Sequence, residues 1–275
     1  MNLRPVAGAA LLFVFAVLLQ SLPKPPVESK YLSLDQILAS SGTELPVVWG
    51  DLGKSLLEAG VLDQQKLQTL YGNESAYREF VEPKDGKVLL TRQNAPIFLN
   101  FLWALGLGNK NEILESGEMA LSGISLGDFA STGGFNLSTT NALDHYSQHE
   151  FIKLNLSQQR QLERISRSIY RPCCNNSTHF PDCNHGMAML GLLELGISQG
   201  LSENELYNLA LAANIYWFEN NYRSIEQYLD SQESGWAQTP PEAILSAKHS
   251  SGSGYQKVQQ ALNAQNSPGP SCGVK

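Results

Sequence analysis

Residues 96–106 read Pro-Ile-Phe-Leu-Asn-Phe-Leu-Trp-Ala-Leu-Gly, and apolar side chains stand at nearly every position of this stretch. A helix that is apolar on all its faces belongs at the centre of a core rather than at a surface. A second membrane span is the competing interpretation, but the segment is too short for it and carries Asn100 in its middle. We therefore expect residues 96–106 to form the central helix of a globular domain.

Helical spacing of apolar residues recurs on both sides of this segment. The pattern predicts helices over residues 34–39, 49–59, 63–71, 74–81, 157–169 and 187–198. A capping box at Ser202–Glu205 begins a further helix that runs to Asn214, followed by an aromatic-rich helix from Tyr216 to Tyr228. Residues 83–87 are typical of a turn, and residues 88–90 are the only predicted strand, compatible with one small β-hairpin. The Gly-, Ser- and Thr-rich stretch 117–140 is either an ordered loop over a site or a connector. The expected fold class is all-α: a single globular multi-helix domain over residues 33–267, with a flexible tail at 268–275.

The N-terminal segment indicates export. Residues 6–22 are an apolar run of 17 residues that follows Arg4 and is closed by prolines, and this length is about the lower limit for crossing a bilayer. No convincing small-x-small cleavage site follows, so an uncleaved signal anchor is favoured over a removed signal peptide. We expect a signal anchor or transmembrane helix at residues 1–23, a linker at 24–32, and the rest of the chain on the extracytoplasmic side, in the periplasm or at the cell exterior.

Composition excludes one class of partner. The formal net charge is −7, and only 16% of the residues are charged. No run of lysine or arginine offers a phosphate-binding patch, so a nucleic-acid partner is not expected. The membrane, contacted through the N-terminal helix, is the only partner that the sequence indicates.

A short segment concentrates the chemistry. Residues 170–191 hold three of the four cysteines and two of the five histidines, in a loop rich in turn residues before a predicted helix. Three thiolates and one imidazole form a common structural zinc set, and copper(I) also prefers thiolates. The predicted metal ligands are Cys173, Cys174, Cys183 and His185. Zinc or copper is the expected cofactor, and an iron–sulfur cluster can use the same thiolates.

Other residues are candidates for supporting roles at this site. Asp182 and Asn184 flank Cys183 and are expected to orient ligands or to cap the following helix. His145 and His149 are four residues apart, which would place both rings on one helical face as additional ligands. The simpler interpretation of that pair is two surface histidines on a polar helix, because Tyr146 stands where a His-Glu-x-x-His protease has its glutamate.

Two alternatives to a metal site remain open from the sequence. The four cysteines can form two disulfides, most naturally with Cys173 and Cys174 bonded separately to Cys183 and Cys272, in a disulfide-stapled structural or interaction domain. Alternatively, Cys183 near a helix N-terminus is a reactive thiol helped by His185, with Cys173 or Cys174 as its resolving partner, in an exported thiol oxidoreductase. The prediction is thus an exported, membrane-anchored protein with a Cys/His transition-metal site and a redox or metal-handling role. The cysteine cluster names neither a reaction nor a substrate, so whether the chain is an enzyme stays open.

Overall fold

The computed structural model describes residues 30–232 and 235–266 of the chain. The predicted anchor at residues 6–22, the tail at 268–275 and Cys272 lie outside these residues. Among the described helices, none combines the length and the apolar character that crossing a bilayer requires.

The described residues are mostly helical, with thirteen α-helices and one two-stranded sheet. The first part of the domain contains α1 (Leu34–Ile37), β1 (Thr43–Gly50), α2 (Leu52–Glu58), α3 (Gln64–Tyr71), α4 (Arg78–Val81), β2 (Lys84–Leu90), α5 (Ala95–Gly108) and α6 (Glu112–Ser116). The second part contains α7 (Leu156–Ser166), α8 (Asn184–Ser198), α9 (Glu203–Trp217), α10 (Glu219–Asp230), α11 (Pro241–Leu245), α12 (Ala247–Ser250) and α13 (Gly252–Asn266). The prediction of a mostly helical fold is confirmed.

The central helix lies where the sequence places it. In α5, Phe98, Phe101, Leu102 and Trp103 are each no more than 1% exposed. Asn100, the polar residue that argues against a membrane span, donates from Nδ2 to the Tyr71 hydroxyl at 2.5 Å. A polar group inside the apolar segment is therefore satisfied by a neighbouring helix.

Helix α8 packs along α5, and two glycines permit the close contact between them. A Cβ added at Gly191 would lie 2.6 Å from the Leu102 carbonyl oxygen and 2.7 Å from the Gly106 nitrogen. Real Cβ contacts are not this short, so the two backbones touch where neither residue has a side chain. Because α8 is apolar on nearly all its faces, it shares the centre of the core with α5.

The sheet corrects two predictions. Residues 43–50 form β1, although residue 49 onward was expected to be helical, and the alternation of buried Leu45, Val47 and Trp49 is the period-2 signal for a strand. The strand expected at 88–90 is present but begins at Lys84, so residues 84–87 are not a turn. Strand β2 pairs antiparallel with β1, with Thr43 opposite Leu90. Three helices separate the strands, so the pair is not a hairpin.

Candidate metal centre

Helix α8 begins at the cysteine loop, with Cys183 as its N-cap. The Cys183 backbone is extended, and its Sγ accepts a hydrogen bond from the Gly186 backbone N–H at 3.4 Å. The helix therefore begins at Asn184, three residues before the expected start. Asp182 or Asn184 was expected to cap this helix, but Cys183 itself is the cap. The buried Asn184 Oδ1 has no hydrogen-bond partner among the described residues. Anchored in the core by its apolar residues, α8 presents Cys183 and His185 at its first turn.

Arg171 is the residue around which the cysteine loop closes. Its side chain is 1% exposed, and Nη1 donates to the Asn176 carbonyl at 2.8 Å. Nη2 donates to Asp182 Oδ1 at 2.7 Å, and Nε donates to Cys183 Sγ at 3.1 Å. The second carboxylate oxygen of Asp182 accepts from Asn176 Nδ2 at 2.8 Å. A single buried cation thus holds both ends of the loop, and orients Asp182 and Cys183.

Sequence reasoning missed Arg171, and a neighbouring glycine was the available signal. A Cβ added at Gly186 would lie 2.5 Å from the Arg171 Cζ. A side chain at position 186 would have to push the guanidinium away from its hydrogen bonds, which explains the glycine. The sequence signal is a glycine in the first turn of an apolar helix, with an arginine before the turn-rich loop that leads into that helix. This pattern would have predicted that the arginine packs against the start of the helix.

The sulfurs of Cys173 and Cys174 both lie close to the sulfur of Cys183. The Sγ atoms of Cys173 and Cys183 are 3.6 Å apart, and those of Cys174 and Cys183 are 3.8 Å apart. All three cysteines are free thiols, and a disulfide bond requires about 2.05 Å between sulfurs. Two thiolates bound at 2.3 Å to one tetrahedral ion lie about 3.8 Å apart, which is the separation found here.

The potential ligands divide into two groups that share Cys183. The ligand atoms of Cys173, Cys183 and His185 lie within 4.8 Å of one another, and so do those of Cys174, Asp182 and Cys183. The second group already contacts a cation, because Arg171 bonds to both Asp182 and Cys183. The first group has only Cys183 in contact with this cation, so it is the better candidate to hold a metal ion.

Charge at the site is concentrated on Cys183. Hydrogen bonds with Cys173 and Cys174, then the hydrogen bond with His185 and the positive charge of Arg171, hold the pKa of the Cys183 thiol below its ordinary value. The pKa of the Cys173 thiol is raised, chiefly by its hydrogen bonds with Cys174 and Cys183. Cys183 is thus the thiolate of the cluster, and a thiolate is the form that binds a metal.

His185 is held by aromatic packing. Its ring centroid is 4.4 Å from that of Phe218 and 6.0 Å from that of Trp217, where α9 ends. This packing limits the orientations of the imidazole and keeps its ligand atom close to the sulfurs of Cys173 and Cys183. The imidazole is thus oriented before any ion binds.

The histidine pair lies in a different arrangement from the one expected. His145 and His149 follow a 3-10 turn (Ala142–Asp144) rather than lying on an α-helix, and Ser147 between them has a φ of 55°. Their rings stack, with His145 Nδ1 3.1 Å from His149 Nε2. The prediction of one helical face is wrong, because this segment bonds to the end of α5: His149 N donates to the Gly108 carbonyl at 2.8 Å.

The two histidines contact each other and not the cysteine cluster. Among residues 30–232 and 235–266, neither belongs to a group of three converging metal ligands. Burial lowers the pKa of His145, and burial together with His145 lowers the pKa of His149. The pair is a separate feature of the fold, in which burial disfavours protonation of either ring.

The stretch 117–140 is an ordered loop that reaches the site. The Ser131 N–H donates to the Asp182 carbonyl at 3.1 Å, and the Ser131 carbonyl accepts from Trp103 Nε1 at 2.8 Å. The ring of Phe129 packs edge-on against Phe180. Of the two interpretations of this stretch, the ordered loop beside a site is therefore the one that the contacts favour.

Comparison with known proteins adds no relative. No family model matches the chain, and neither does a curated protein or a solved structure. The chemistry of the site is therefore inferred from its own residues: Cys173, Cys183 and His185 could hold a metal ion.

Proposed function

We propose that this chain is a metal-handling protein that binds one thiophilic transition-metal ion through Cys173, Cys183 and His185. The observation that carries the proposal is the convergence of these three ligand atoms within 4.8 Å of one another, with 3.6 Å between the sulfurs of Cys173 and Cys183. This sulfur separation is too long for a disulfide and close to the roughly 3.8 Å between two thiolates on a single tetrahedral ion. Zinc(II) and copper(I) are the ions that this donor set suits best.

The spacing of the sulfurs disfavours an iron–sulfur cluster. In a cluster the cysteine thiolates are distributed over several iron atoms. Here the ligand atoms of Cys173, Cys183 and His185 all lie within 4.8 Å of one another, so they are placed around one centre. A mononuclear site is therefore the better fit.

The number of ligands and their exposure favour exchange of the ion over a purely structural role. Structural zinc sites are closed by four protein ligands, whereas sites that keep three leave a position for an incoming group. Asp182 is occupied by Arg171 and Asn176, and the Cys173 side chain is solvent-exposed. An acceptor can thus approach the ion from the Cys173 side, as metal handling requires.

The place of action follows from the N-terminal segment. The apolar run 6–22 supports a membrane-anchored protein whose folded domain faces the extracytoplasmic side. A chain that begins at Val27 should be recovered in the soluble fraction, whereas the full chain should stay in the membrane fraction. Recovery of a native protein that lacks its first 20 or so residues would mean a cleaved signal peptide instead.

A thiol oxidoreductase is the second candidate, and Arg171 supports it. The guanidinium at 3.1 Å and the helix N-terminus both stabilise the Cys183 thiolate. Such a thiolate would attack a substrate disulfide, release one substrate thiolate and form a mixed disulfide, which Cys173 or Cys174 would then resolve. Metal content distinguishes the two candidates, because a dithiol enzyme works without an ion.

The test is metal analysis of the detergent-solubilised full chain together with a count of free thiols. We expect about one zinc or copper ion per chain, and a cobalt(II)-loaded sample with thiolate-to-cobalt absorption. Cys183→Ser and His185→Ala should lose the ion and the absorption band. Cys272→Ser and His145→Ala are the matched controls and should retain both. Protein that is metal-free after metal addition, with Cys183 oxidised, would contradict the proposal.

A further inference from the structure

Cys174 is the cysteine of the loop that the proposed ion does not use. Its Sγ lies 3.8 Å from Cys183 Sγ, 3.8 Å from Asp182 Oδ1 and 4.0 Å from the Asn176 carbonyl. It shares a converging group with Asp182 and Cys183, but not with His185. Cys174 is therefore beside Cys183 but outside the group that contains the imidazole.

A second metal ion beside Cys174 is disfavoured by charge. Arg171 is 1% exposed and already donates to both other members of that group, Asp182 and Cys183. Placing another cation among the same atoms would oppose two positive charges in a region with little water to screen them. Cys174 thus remains a thiol next to a metal-binding thiolate.

The backbone of Cys174 is fixed by the beginning of α13. Its carbonyl accepts from the Gly252 N–H at 2.8 Å, and the next residue, Asn175, accepts through Oδ1 from the Ser253 N–H at 2.7 Å. The sulfur must approach Cys183 by roughly 1.7 Å to reach the length of a disulfide bond. Because the backbone of Cys174 is held by α13, rotation of the two side chains has to supply this movement.

We propose that Cys174 is the redox partner of Cys183 rather than a metal ligand, and that a disulfide between them releases the ion. This inference rests on the proposed function, because it concerns how the same site gives up its metal. The ion loses the ligand that both groups share, and only Cys173 and His185 remain. In an oxidising compartment the site would then release its metal ion. A reducing dithiol would restore the two thiols and, with them, metal binding.

The oxidant that the step requires is a disulfide, written RSSR. The Cys174 thiol first gives up its proton to solvent, and the resulting thiolate attacks one sulfur of RSSR, which forms a Cys174–S–S–R bond and expels RS⁻. The Cys183 thiolate then attacks the Cys174 sulfur, forms the Cys174–Cys183 bond and expels the second RS⁻. The two cysteines are together oxidised by two electrons, RSSR is reduced to two thiolates, and the metal ion leaves with its charge unchanged.

Coordination explains why Cys174 reacts in preference to Cys173. Cys173 is nearer to Cys183, at 3.6 Å, and more exposed, but in the loaded site its sulfur is bound to the ion. A coordinated thiolate is a poorer nucleophile than a free one, so the uncoordinated Cys174 is the entry point. A bond between the neighbours Cys173 and Cys174 would require a strained eight-membered ring.

The test uses the full chain loaded with zinc, with oxidised glutathione as the probe. Zinc release is followed with a chromogenic chelator, and the disulfide is mapped by mass spectrometry. The wild type should release zinc as the Cys174–Cys183 bond forms. Cys174→Ser should bind zinc as tightly as the wild type in reducing buffer, yet release it at least about tenfold more slowly with the probe. Cys272→Ser should behave like the wild type.

Three results would overturn the inference: weaker zinc binding by reduced Cys174→Ser, an unchanged rate of release in that variant, or a mapped Cys173–Cys183 bond. Failure of the proposed function is distinguishable from these. If the reduced wild type binds no zinc, the metal site and its release both fail. The disulfide mapped in the metal-free chain then still identifies the partner of Cys183.

Discussion

Arg171 donates from Nε to the Sγ of Cys183 across 3.1 Å, while its own side chain is only 1% exposed. A buried guanidinium requires partners for its N–H groups, and the loop supplies two carbonyls, one carboxylate and one sulfur. The residue that supports the fold of the loop is therefore also the one that positions the thiolate. The contact would therefore link the stability of the loop to the proposed metal binding.

Replacing Arg171 should destabilise the whole domain. Arg171→Gln removes the arginine donor from Asp182 Oδ1 and from two loop carbonyls, and removing one member of a buried pair costs about 3–5 kcal/mol. Denaturant unfolding should show a lower midpoint with little change in slope. Arg92→Gln is the matched control: Arg92 is 47% exposed in its pair with Glu219, so we expect a much smaller shift of the midpoint. Equal effects of the two changes would contradict the structural role of Arg171.

The glycine contact between α5 and α8 should not tolerate a methyl group. In Gly106→Ala the new Cβ would overlap the Met187 carbonyl and lie 3.0 Å from the Gly191 nitrogen. Separating two packed helices should cost about 1–3 kcal/mol, measured as a lower Tm. At Gly86 the only neighbour of an added Cβ is Lys84 Cε at 3.9 Å, so Gly86→Ala should leave the Tm nearly unchanged. A Gly106→Ala protein as stable as the wild type would mean that the helices are further apart than described.

Glu194 should make the protein less stable as the pH rises. It is fully buried on α8, where one oxygen accepts from Asn111 Nδ2 at 2.7 Å and the other lacks a partner among the described residues. Burial raises its pKa well above the ordinary 4.5. The unfolded chain therefore releases this proton first, so stability is complete below about pH 4.5 and falls as the pH rises towards the folded-state pKa.

Glu194→Gln should remove this part of the pH dependence. We expect the variant to be more stable than the wild type at pH 8, by about 1–3 kcal/mol, with the advantage shrinking towards pH 5. Thermal unfolding at several pH values measures it. Glu112→Gln, at an exposed position, is the control, and its thermal stability should depend on pH as that of the wild type does. A constant difference between Glu194→Gln and wild type across this range would show that Glu194 does not titrate between the two states.

Both stacked histidines should have a pKa below the ordinary imidazole value of 6.5, and the two pKa values should respond differently to removal of the other ring. The pKa of His145 is lowered by burial, whereas that of His149 is lowered by burial and then by the charge of His145. His145→Gln should therefore raise the pKa of His149, while His149→Gln should leave the pKa of His145 low. NMR titration of the ring protons measures both. An unchanged His149 pKa in His145→Gln would mean that the rings do not interact.

The same lowered pKa values predict loss of stability in mild acid. Because the folded histidines bind protons less readily than the unfolded ones, stability is complete above about pH 6.5 and falls as the pH drops through the folded-state pKa. His145→Gln should reduce the fall in Tm between pH 7 and pH 5. An identical fall in that variant and the wild type would assign the acid sensitivity to other groups.

Much of the fold and part of the site could be predicted from local patterns. The apolar stretch 96–106 lies within α5, and the Ser202–Glu205 capping box begins α9. The cysteine loop brings Cys173, Cys183 and His185 together, as their closeness in sequence suggested. These features depend on residues a few positions apart, so periodicity, caps and spacing carry the information.

The sequence by itself determined that the chain builds a helical domain around residues 96–106 and carries a dense set of thiol and imidazole ligands. Only the tertiary structure decided that β1 pairs with β2 across three helices, that His145 and His149 stack away from the cysteines, and that Arg171 occupies one of the two ligand groups. Each of these depends on the path of the chain through space. A buried cation or a paired strand is defined by groups that arrive from distant residues, and no local pattern encodes which groups those are.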